Sequence, residues 1–134
     1  MIRQRLLSLF DRHGITPTPQ RVEIANILLE RPQHLSADQI IDRLKAASSG
    51  VSKATVYNSL NLFAKHGLIR EVMVDPVRKF YDSTTHAHHH FYNVDSGELS
   101  DIPDGKVAFR ELPDLPEGTE RESVEVLIRV RDKP

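Results

Sequence analysis

The hydrophobic pattern of the chain changes period near Gly67, and this change limits the folds that the chain can adopt. Before Gly67, apolar residues recur about every 3.6 positions, the spacing of amphipathic helices. After it, in Leu68–Val74 and Lys79–Asp82, the spacing is 2, and the Asp75-Pro76 turn between the two segments predicts a β-hairpin. Several short helices closed by a hairpin indicate an α+β fold that begins with a winged helix-turn-helix.

Four helices are predicted in this first part, each bounded by residues that favour a helix end. Thr18 is placed to cap the second helix, which begins at Pro19 and stops before Pro32. The third opens with capping-box spacing at residues 36–39, and the fourth runs from Ser52 to about His66. The residues expected to face the core are Ile2, Leu6, Leu7, Phe10, Val22, Ile24, Ala25, Ile27, Leu28, Leu29, Ile40, Ile41, Leu44, Val56, Leu60, Phe63 and Ala64.

The rest of the chain has a different character. Residues 88–94 and 99–102 flank an Asp-Ser-Gly-Glu turn and predict a second hairpin. Residues 103–122 are rich in Pro, Gly, Asp and Glu, with a short helix expected around 107–112. Residues 123–131 form a predicted strand that must join a sheet, within the chain or across a dimer. We therefore predict two domains, residues 1–82 and 83–134, and no internal repeat is apparent.

Composition separates the two parts as well. Residues 1–82 carry 12 Lys/Arg and 8 Asp/Glu, whereas residues 83–134 carry 6 Lys/Arg and 11 Asp/Glu. A polyanion such as double-stranded DNA is therefore expected to meet the first domain. The chain has no cysteine, which excludes disulfides and thiolate zinc sites. No apolar run approaches the ~20 residues that span a bilayer, and the first residues do not match a signal peptide, so a cytoplasmic protein with no membrane partner is expected.

The polar face of the fourth helix offers groups that can contact DNA. A helix fits the major groove, where side chains hydrogen-bond to base edges and cations bind phosphates. The candidate residues are Ser52, Lys53, Thr55, Tyr57, Asn58, Asn61 and Lys65, with Arg21 at the start of the second helix. The alternative is an ordinary solvated helix face. Because the first domain is not strongly basic, binding as a dimer is favoured, since a dimer doubles the phosphate contacts.

Four of the seven histidines lie in residues 85–90 and suggest a metal site. On an extended chain, His86, His88 and His90 share one face and His89 points to the other. Neutral imidazoles suit iron, manganese or zinc. His34, Asp82 and Asp101 are candidates to complete a mixed nitrogen and oxygen shell. Two alternatives remain: a haem ligated by His88, His89 or His90, and a solvated cluster that binds metal adventitiously. His13 and His66 are expected on the surface, with His66 near the negative end of its helix.

Several segments together are typical of one family of regulators: residues 18–21, 34–38, 54–60, 67–69 and the histidine tract. On these segments the chain resembles the ferric uptake regulator (Fur) family over nearly its whole length. It is most similar to the iron response regulator (Irr) branch, through HHHFY, residues 101–103, residues 112–120 and the closing Val-Arg. The resemblance implies a homodimer with an N-terminal winged-helix DNA-binding domain and a small C-terminal α+β dimerisation domain.

The resemblance also assigns residues. The regulatory metal site of the family falls on His34, Asp82, His88, His90 and Asp101, its principal base-reading residue on Tyr57, and a further DNA contact on Arg21.

The chain departs from the family pattern at three places. The paired cysteines that bind structural zinc in many relatives fall on Asn93 and Ser96, so no cysteine zinc site is expected. The basic residue that enters the minor groove in many relatives falls on Thr16. A haem motif that needs cysteine is absent, which leaves only histidines as haem ligands.

These observations predict a homodimeric, metal- or haem-responsive repressor of iron and haem homeostasis genes that binds an AT-rich palindromic operator. The expected metal is Mn²⁺ or Fe²⁺, with Zn²⁺ and haem as further candidates, and no catalytic residue is predicted. The alternative within the family is a manganese- or peroxide-responsive repressor. Outside it, an enzyme with a water-activating metal lacks a recognisable general base, and a metal-storage module would not need Tyr57 and Asn58 on a polar helix face.

Overall fold

The computed structural model describes residues 3–134, so the predicted core position Ile2 lies outside the described residues. Two compact units divide the chain: the first ends at Thr85 and the second is His86–Pro134. The predicted division of labour, with DNA binding in residues 1–82 and dimerisation in 83–134, stays a prediction about function. Among the described residues, no helix has the length and apolar character needed to cross a membrane.

The first unit contains four helices and a three-stranded antiparallel sheet, and the predicted α+β fold with a winged helix-turn-helix is confirmed. The helices are α1 (Arg3–Arg12), α2 (Pro19–Leu29), α3 (Ala37–Ala46) and α4 (Lys53–Lys65). The strands are β1 (His34–Ser36), β2 (Arg70–Met73) and β3 (Lys79–Asp82), in the order β1-β3-β2. Helices α3 and α4 form the helix-turn-helix, and β2 and β3 form the wing.

The predicted helix caps are present. The Thr18 side chain accepts a hydrogen bond from the Arg21 amide, and Pro19 begins α2. Ser36 and Gln39 form a reciprocal capping box at α3, which satisfies two backbone N–H groups that have no partner inside the helix. Ser52 caps α4 in the same way through the Thr55 amide. Strand β1 was not predicted, because three residues carry no detectable period and the strand exists through its pairing with β3.

The core of the first unit lies between the four helices and the sheet, and every helix contributes to it. Its large, fully buried side chains are Leu6, Phe10, Ile24, Leu28, Ile40, Val56, Leu60, Phe63 and Tyr81. The helical positions in this list all belong to the apolar stripes that the sequence predicts.

The second unit is a small three-stranded sheet. Its strands are β4 (His90–Asn93), β5 (Leu99–Asp101) and β6 (Leu127–Val130), in the order β5-β4-β6. The predicted β4–β5 hairpin is confirmed. The strand expected at 123–131 is shorter than predicted and joins the sheet parallel to β4.

The helix expected around residues 107–112 is wrong. The segment is irregular, and from 108 to 112 every residue is exposed. A six-residue helix has too few internal hydrogen bonds to persist without packing, and here it has no buried face.

Candidate metal centre and nucleic-acid interface

Three histidines at alternate positions, His86, His88 and His90, lie at the start of the second unit. The ring centroids of His86 and His88 lie 5.5 Å apart, and those of His88 and His90 lie 4.3 Å apart. His88 and His90 are buried, whereas His86 is exposed. The three side chains therefore share one side of the chain, as alternation along an extended segment predicts.

Asp101 completes a cluster of three donors within the second unit. Its position on β5 lies directly opposite His90 on β4, so the two side chains share a face of the sheet. The Nε2 atoms of His88 and His90 lie 3.1 Å and 3.3 Å from the same carboxylate oxygen, Oδ1 of Asp101. The hairpin register thus brings together two imidazole nitrogens and one carboxylate oxygen.

These separations fit a divalent metal ion. With bonds of about 2.1 Å, two ligand atoms of one ion lie about 3.0 Å apart at octahedral angles and about 3.4 Å apart at tetrahedral angles. The Nδ1 atom of His88 faces the carbonyl oxygen of His86 at 2.9 Å. A carbonyl only accepts, so Nδ1 of His88 carries a proton, and in the neutral ring Nε2 is then the atom that would bind a metal ion, as in most metal-binding histidines. The donor set suits Mn²⁺, Fe²⁺ or Zn²⁺.

The first unit carries the other two predicted ligands. His34 on β1 and Asp82 on β3 are directly paired, so their side chains lie on the same face of the sheet. Asp82 is buried, and its Oδ1 accepts a hydrogen bond of 2.9 Å from the Thr84 amide. This bond orients the carboxylate at the end of β3.

His89 differs from its neighbours in its hydrogen bonding. The Val126 amide donates to Nδ1 of His89 at 2.8 Å, and the ring meets the Phe109 ring edge-on with centroids 5.8 Å apart. Because the Nδ1 lone pair is engaged, the proton of the neutral ring sits on Nε2. Of the three candidate haem ligands, His89 therefore offers no free lone pair in this conformation.

Helix α4 presents most of the predicted DNA-contacting residues on its outer side. Lys53, Asn58 and Asn61 are exposed, and Tyr57 is half-buried because its ring packs against the core. Residues three and four positions apart are neighbours on a helix, so Tyr57, Asn58 and Asn61 form one continuous surface. That surface offers amide and hydroxyl groups of the kind that hydrogen-bond to base edges.

Two of the candidate DNA-contacting residues near the start of α4 already hydrogen-bond to each other. The Ser52 and Thr55 hydroxyls lie 2.8 Å apart, and Ser52 also caps the helix. At the start of α2, Nη1 of Arg21 donates to the Thr16 carbonyl at 2.7 Å, which fixes the guanidinium beside the α1–α2 connection.

Asp38 is a residue of this surface that the sequence does not reveal. The Tyr57 hydroxyl donates to its Oδ1 at 3.5 Å, at the long limit of a hydrogen bond. Because the two residues are 19 positions apart, only the helix-turn-helix geometry could have indicated the contact.

Charged and polar groups also meet where the wing joins the core. Lys79 on β3 forms an ion pair of 3.2 Å with Glu71 on β2. Burial lowers the pKa of Lys79, but the neighbouring Glu71 and Tyr81 outweigh it, so the pKa lies above its ordinary value. Burial raises the pKa of Tyr81, an effect that the nearby Lys79 partly offsets. The Tyr81 hydroxyl has no hydrogen-bond partner among the described residues.

Comparison with known proteins identifies the family to which the chain is similar. The sequence model of the "Ferric uptake regulator family" matches residues 12–127. The peroxide-responsive repressor PerR of Staphylococcus aureus (strain Mu50) is 33% identical over 89 residues, which cover 66% of this chain and 60% of the relative. The chain thus matches about 60% of the length of this curated relative.

Solved structures agree over a longer span. The ferric uptake regulator of Pseudomonas aeruginosa with manganese is 27% identical, with a TM-score of 0.72 over 100% of both chains. The ferric uptake regulator of Francisella tularensis with iron is 25% identical, with a TM-score of 0.70 over 90% of this chain and 93% of that one. The finer similarity to the Irr branch stays a prediction.

Proposed function

Because the chain belongs to the ferric uptake regulator family, we propose that it is a homodimeric, metal-responsive repressor that binds double-stranded DNA through α4. Members of this family are transcription regulators. The observation that carries the proposal is the His88, His90 and Asp101 cluster, with its metal-compatible separations, in a chain whose first unit is a winged helix-turn-helix. Genes of iron homeostasis are the targets that the family implies, and no enzymatic step is proposed.

The donor set favours Mn²⁺ or Fe²⁺. Imidazole and carboxylate ligands suit these ions and Zn²⁺, and the chain has no thiolate to select zinc. The manganese and iron in the two similar regulators support the same choice.

We propose that His34 and Asp82 of the first unit complete the shell formed by His88, His90 and Asp101. A bound ion would supply a positive centre shared by donors of both units. His34 lies on β1 and Asp82 on β3, and both strands contribute side chains to the core that α4 shares, so their engagement would orient α4 for DNA. A coupling of about 1–3 kcal/mol between the two sites changes DNA affinity about 5- to 150-fold, enough for a switch.

On DNA, Tyr57, Asn58 and Asn61 would face base edges, and Lys53 and Arg21 would contact phosphates. Each good bidentate contact discriminates between bases by about 1–3 kcal/mol, whereas phosphate contacts add affinity without sequence preference. A two-fold operator follows from a homodimer, because the half-sites must mirror the symmetry of the protein.

A binding titration tests the proposal directly. Fluorescence anisotropy would follow a labelled AT-rich palindromic promoter duplex and a scrambled duplex of equal length, at fixed salt. Protein would be metal-free, loaded with Mn²⁺, or loaded with haemin. The proposal expects tight, operator-selective binding only with Mn²⁺. Equal affinity for both duplexes in every state, on several candidate promoters, would overturn it.

A matched pair of asparagine substitutions tests the proposed use of α4. Asn58 is exposed on α4, and Asn26 is exposed on α2. Asn58→Ala is expected to weaken operator binding by about 5- to 150-fold, whereas Asn26→Ala leaves it unchanged. Similar losses in both variants would show that α4 is not the reading helix.

The homodimer is proposed on the surface of β6. Ile128 and Val130 are 41% and 36% exposed, although a strand normally buries such side chains. Strand β6 pairs with β4 on one side, and its other edge is unpaired among the described residues. Unpaired strand edges with apolar side chains associate readily, and a second copy would cover both features.

The assembly test compares two substitutions of the same kind. Ile128→Asp should shift the molar mass in light scattering from dimer to monomer. Val77→Asp, in the wing turn where Val77 is 91% exposed, should leave the dimer intact. A wild type that is monomeric at micromolar concentration would contradict the homodimer.

The similarity to a peroxide-responsive repressor favours one alternative signal. The chain has no cysteine, so oxidation would have to fall on a ligand histidine. Mass spectrometry would show one added oxygen on a histidine after peroxide treatment of iron-loaded protein, but not of manganese-loaded protein. Haem sensing is the other alternative, and release of the operator by haemin would indicate it.

A further inference from the structure

A six-residue sequence occurs twice in the first unit. Residues 10–15 are FDRHGI and residues 63–68 are FAKHGL, the same pattern of Phe, any residue, Arg or Lys, His, Gly, and Ile or Leu. The two copies end α1 and α4. The reading of the chain as free of internal repeats is therefore wrong at this scale.

Both copies fold into the same helix end. In each, the amide of the last residue donates to the phenylalanine carbonyl at 2.9 Å. The glycine amide donates to the carbonyl of the residue after the phenylalanine, at 3.2 Å in the first copy and 3.1 Å in the second. Gly14 and Gly67 have φ of 70° and 74°, a left-handed conformation that glycine adopts without strain. This is the Schellman motif, which ends both helices without help from the histidines.

The two helix ends face each other through their histidines. Nδ1 of His13 donates to the His66 carbonyl at 3.1 Å, and Nδ1 of His66 donates to the His13 carbonyl at 3.0 Å. The phenylalanine rings of the two copies are also in contact, with centroids 5.5 Å apart. The hydrogen bonds between the two helix ends are reciprocal. We call the His13–His66 pair the histidine clasp.

The chemistry of the histidine clasp is set by its acceptors. A carbonyl oxygen only accepts, so each Nδ1 must carry a proton, in either the neutral or the charged ring. The negative ends of two helices meet at this point, and each histidine places a donor against the other helix's terminal carbonyl. The hydrogen bonds of the Schellman motif already terminate both helices. The two histidine hydrogen bonds are therefore not needed for that purpose, and they link α1 to α4.

Each half of the histidine clasp adjoins one of the two elements that are proposed to contact DNA. The α1–α2 connection leaves its first half and carries Thr16, whose carbonyl accepts a hydrogen bond of 2.7 Å from Arg21 at the start of α2. Helix α4, with Asn58 on its outer face, ends at its second half. We propose that His13 and His66 are positioning residues for DNA binding, which fix α4 relative to the segment that carries Arg21. This inference rests on the proposed function.

The test uses two substitutions at each position in the full-length, Mn²⁺-loaded protein. His13→Ala and His66→Ala remove the donor, whereas His13→Asn and His66→Asn keep an N–H close to the position of Nδ1. Anisotropy titrations with the operator and the scrambled duplex would be run well below the melting temperature of every variant. Asn26→Ala, exposed on α2 and outside the metal cluster and the clasp, is the control.

Each alanine variant is expected to bind the operator about fivefold more weakly, the effect of one lost hydrogen bond. Its affinity for the scrambled duplex and for Mn²⁺ should not change. The asparagine variants should recover most of the operator affinity, and the control should match the wild type.

Three results would overturn the inference. Alanine variants with wild-type operator affinity would show that the clasp does not position α4. Equal losses on both duplexes would indicate a general structural effect. Alanine variants that lose operator affinity without rescue by asparagine would exclude the hydrogen bond as the cause. The wild-type arm tests the proposed function separately, since a wild type without operator preference removes that premise.

Discussion

The two units differ most in how they are held together. The first buries apolar side chains from four helices and a sheet in one continuous core. The second, His86–Pro134, buries Tyr92, Leu99 and Ile102 as its apolar residues, and its other buried side chains are two histidines. The first unit therefore has the core of a small independent domain, and the second does not.

This difference in core size indicates which of the two units ligand binding can regulate. A small sheet without a sizeable core needs other interactions, and metal ions or a second subunit are the usual ones. The second unit offers a surface for each: the His88, His90 and Asp101 cluster, and the exposed apolar side chains of β6. We therefore expect the order of the second unit to depend on ligands, while the first unit folds with or without them.

The largest expected effect is in the core of the first unit. Phe63 is fully buried, so Phe63→Ala should lower the free energy of unfolding by about 3–5 kcal/mol. Phe109 in the second unit is 44% exposed, and Phe109→Ala should change it by less than about 0.5 kcal/mol. Urea denaturation followed by circular dichroism measures both. Equal losses would mean that the two units share one cooperative core.

The next effect concerns the histidine cluster. His90→Ala removes a proposed metal ligand. Loss of a residue that only hydrogen-bonds to a ligand lowers metal affinity about 10- to 100-fold. The Mn²⁺ affinity of this variant should therefore fall by more than that. His86→Ala, on the same tract but exposed, should change it by less than about threefold. Competition with a chromophoric chelator measures both affinities.

Hydrogen exchange tests the same variant in another way. The backbone amides of residues 88–101 should exchange faster in the His90 variant, whereas those of α1 to α4 should be unaffected. Faster exchange throughout the chain would contradict the comparison of the two units.

A smaller effect should stabilise the first unit further. The buried Tyr81 hydroxyl has no hydrogen-bond partner among the residues described, so Tyr81→Phe removes a polar group that lost water on folding. We expect the free energy of unfolding to rise by about 1 kcal/mol. Urea denaturation at pH 7 measures the change. A loss of stability instead would reveal a partner for this hydroxyl.

The smallest effect is at the wing. Glu71 raises the pKa of Lys79 above 10.5, so their pairing stabilises the fold fully below about pH 10.5 and fades as pH rises through the folded-state pKa. Both side chains are partly exposed, so Glu71→Gln should cost only a few tenths of a kcal/mol at pH 7. Urea titrations at pH 7 and pH 11 should show a smaller difference between wild type and variant at the higher pH. An undiminished difference at pH 11 would assign it to another contact.

Most of the first unit could be predicted because its signals are local. Thr18, Ser36 and Ser52 each mark a helix start through a side chain that caps its own helix, and Gly67 marks a helix end. The exceptions depend on distant partners. Strand β1 forms only against β3, and the contact between Tyr57 and Asp38 requires the helix-turn-helix.

The candidate metal site also combines features that local sequence predicts with features that depend on distant partners. The alternation of His88 and His90 follows from an extended chain, and the β4–β5 hairpin places Asp101 opposite His90. The hydrogen bond from Val126 to His89 depends on the parallel pairing of β6 with β4, which no local pattern encodes. The helix predicted near residue 110 failed for the opposite reason: its local pattern was acceptable, but it has no surface to pack against.

The parallel pairing of β4 with β6 has a consequence for synthesis. Residues 90–93 cannot complete their sheet until residues 127–130 have left the ribosome. All the contacts of the first unit, including the histidine clasp, involve residues made earlier. During synthesis the proposed DNA-binding unit can therefore fold before the unit that would sense metal, and the newly made chain acquires its sensor last.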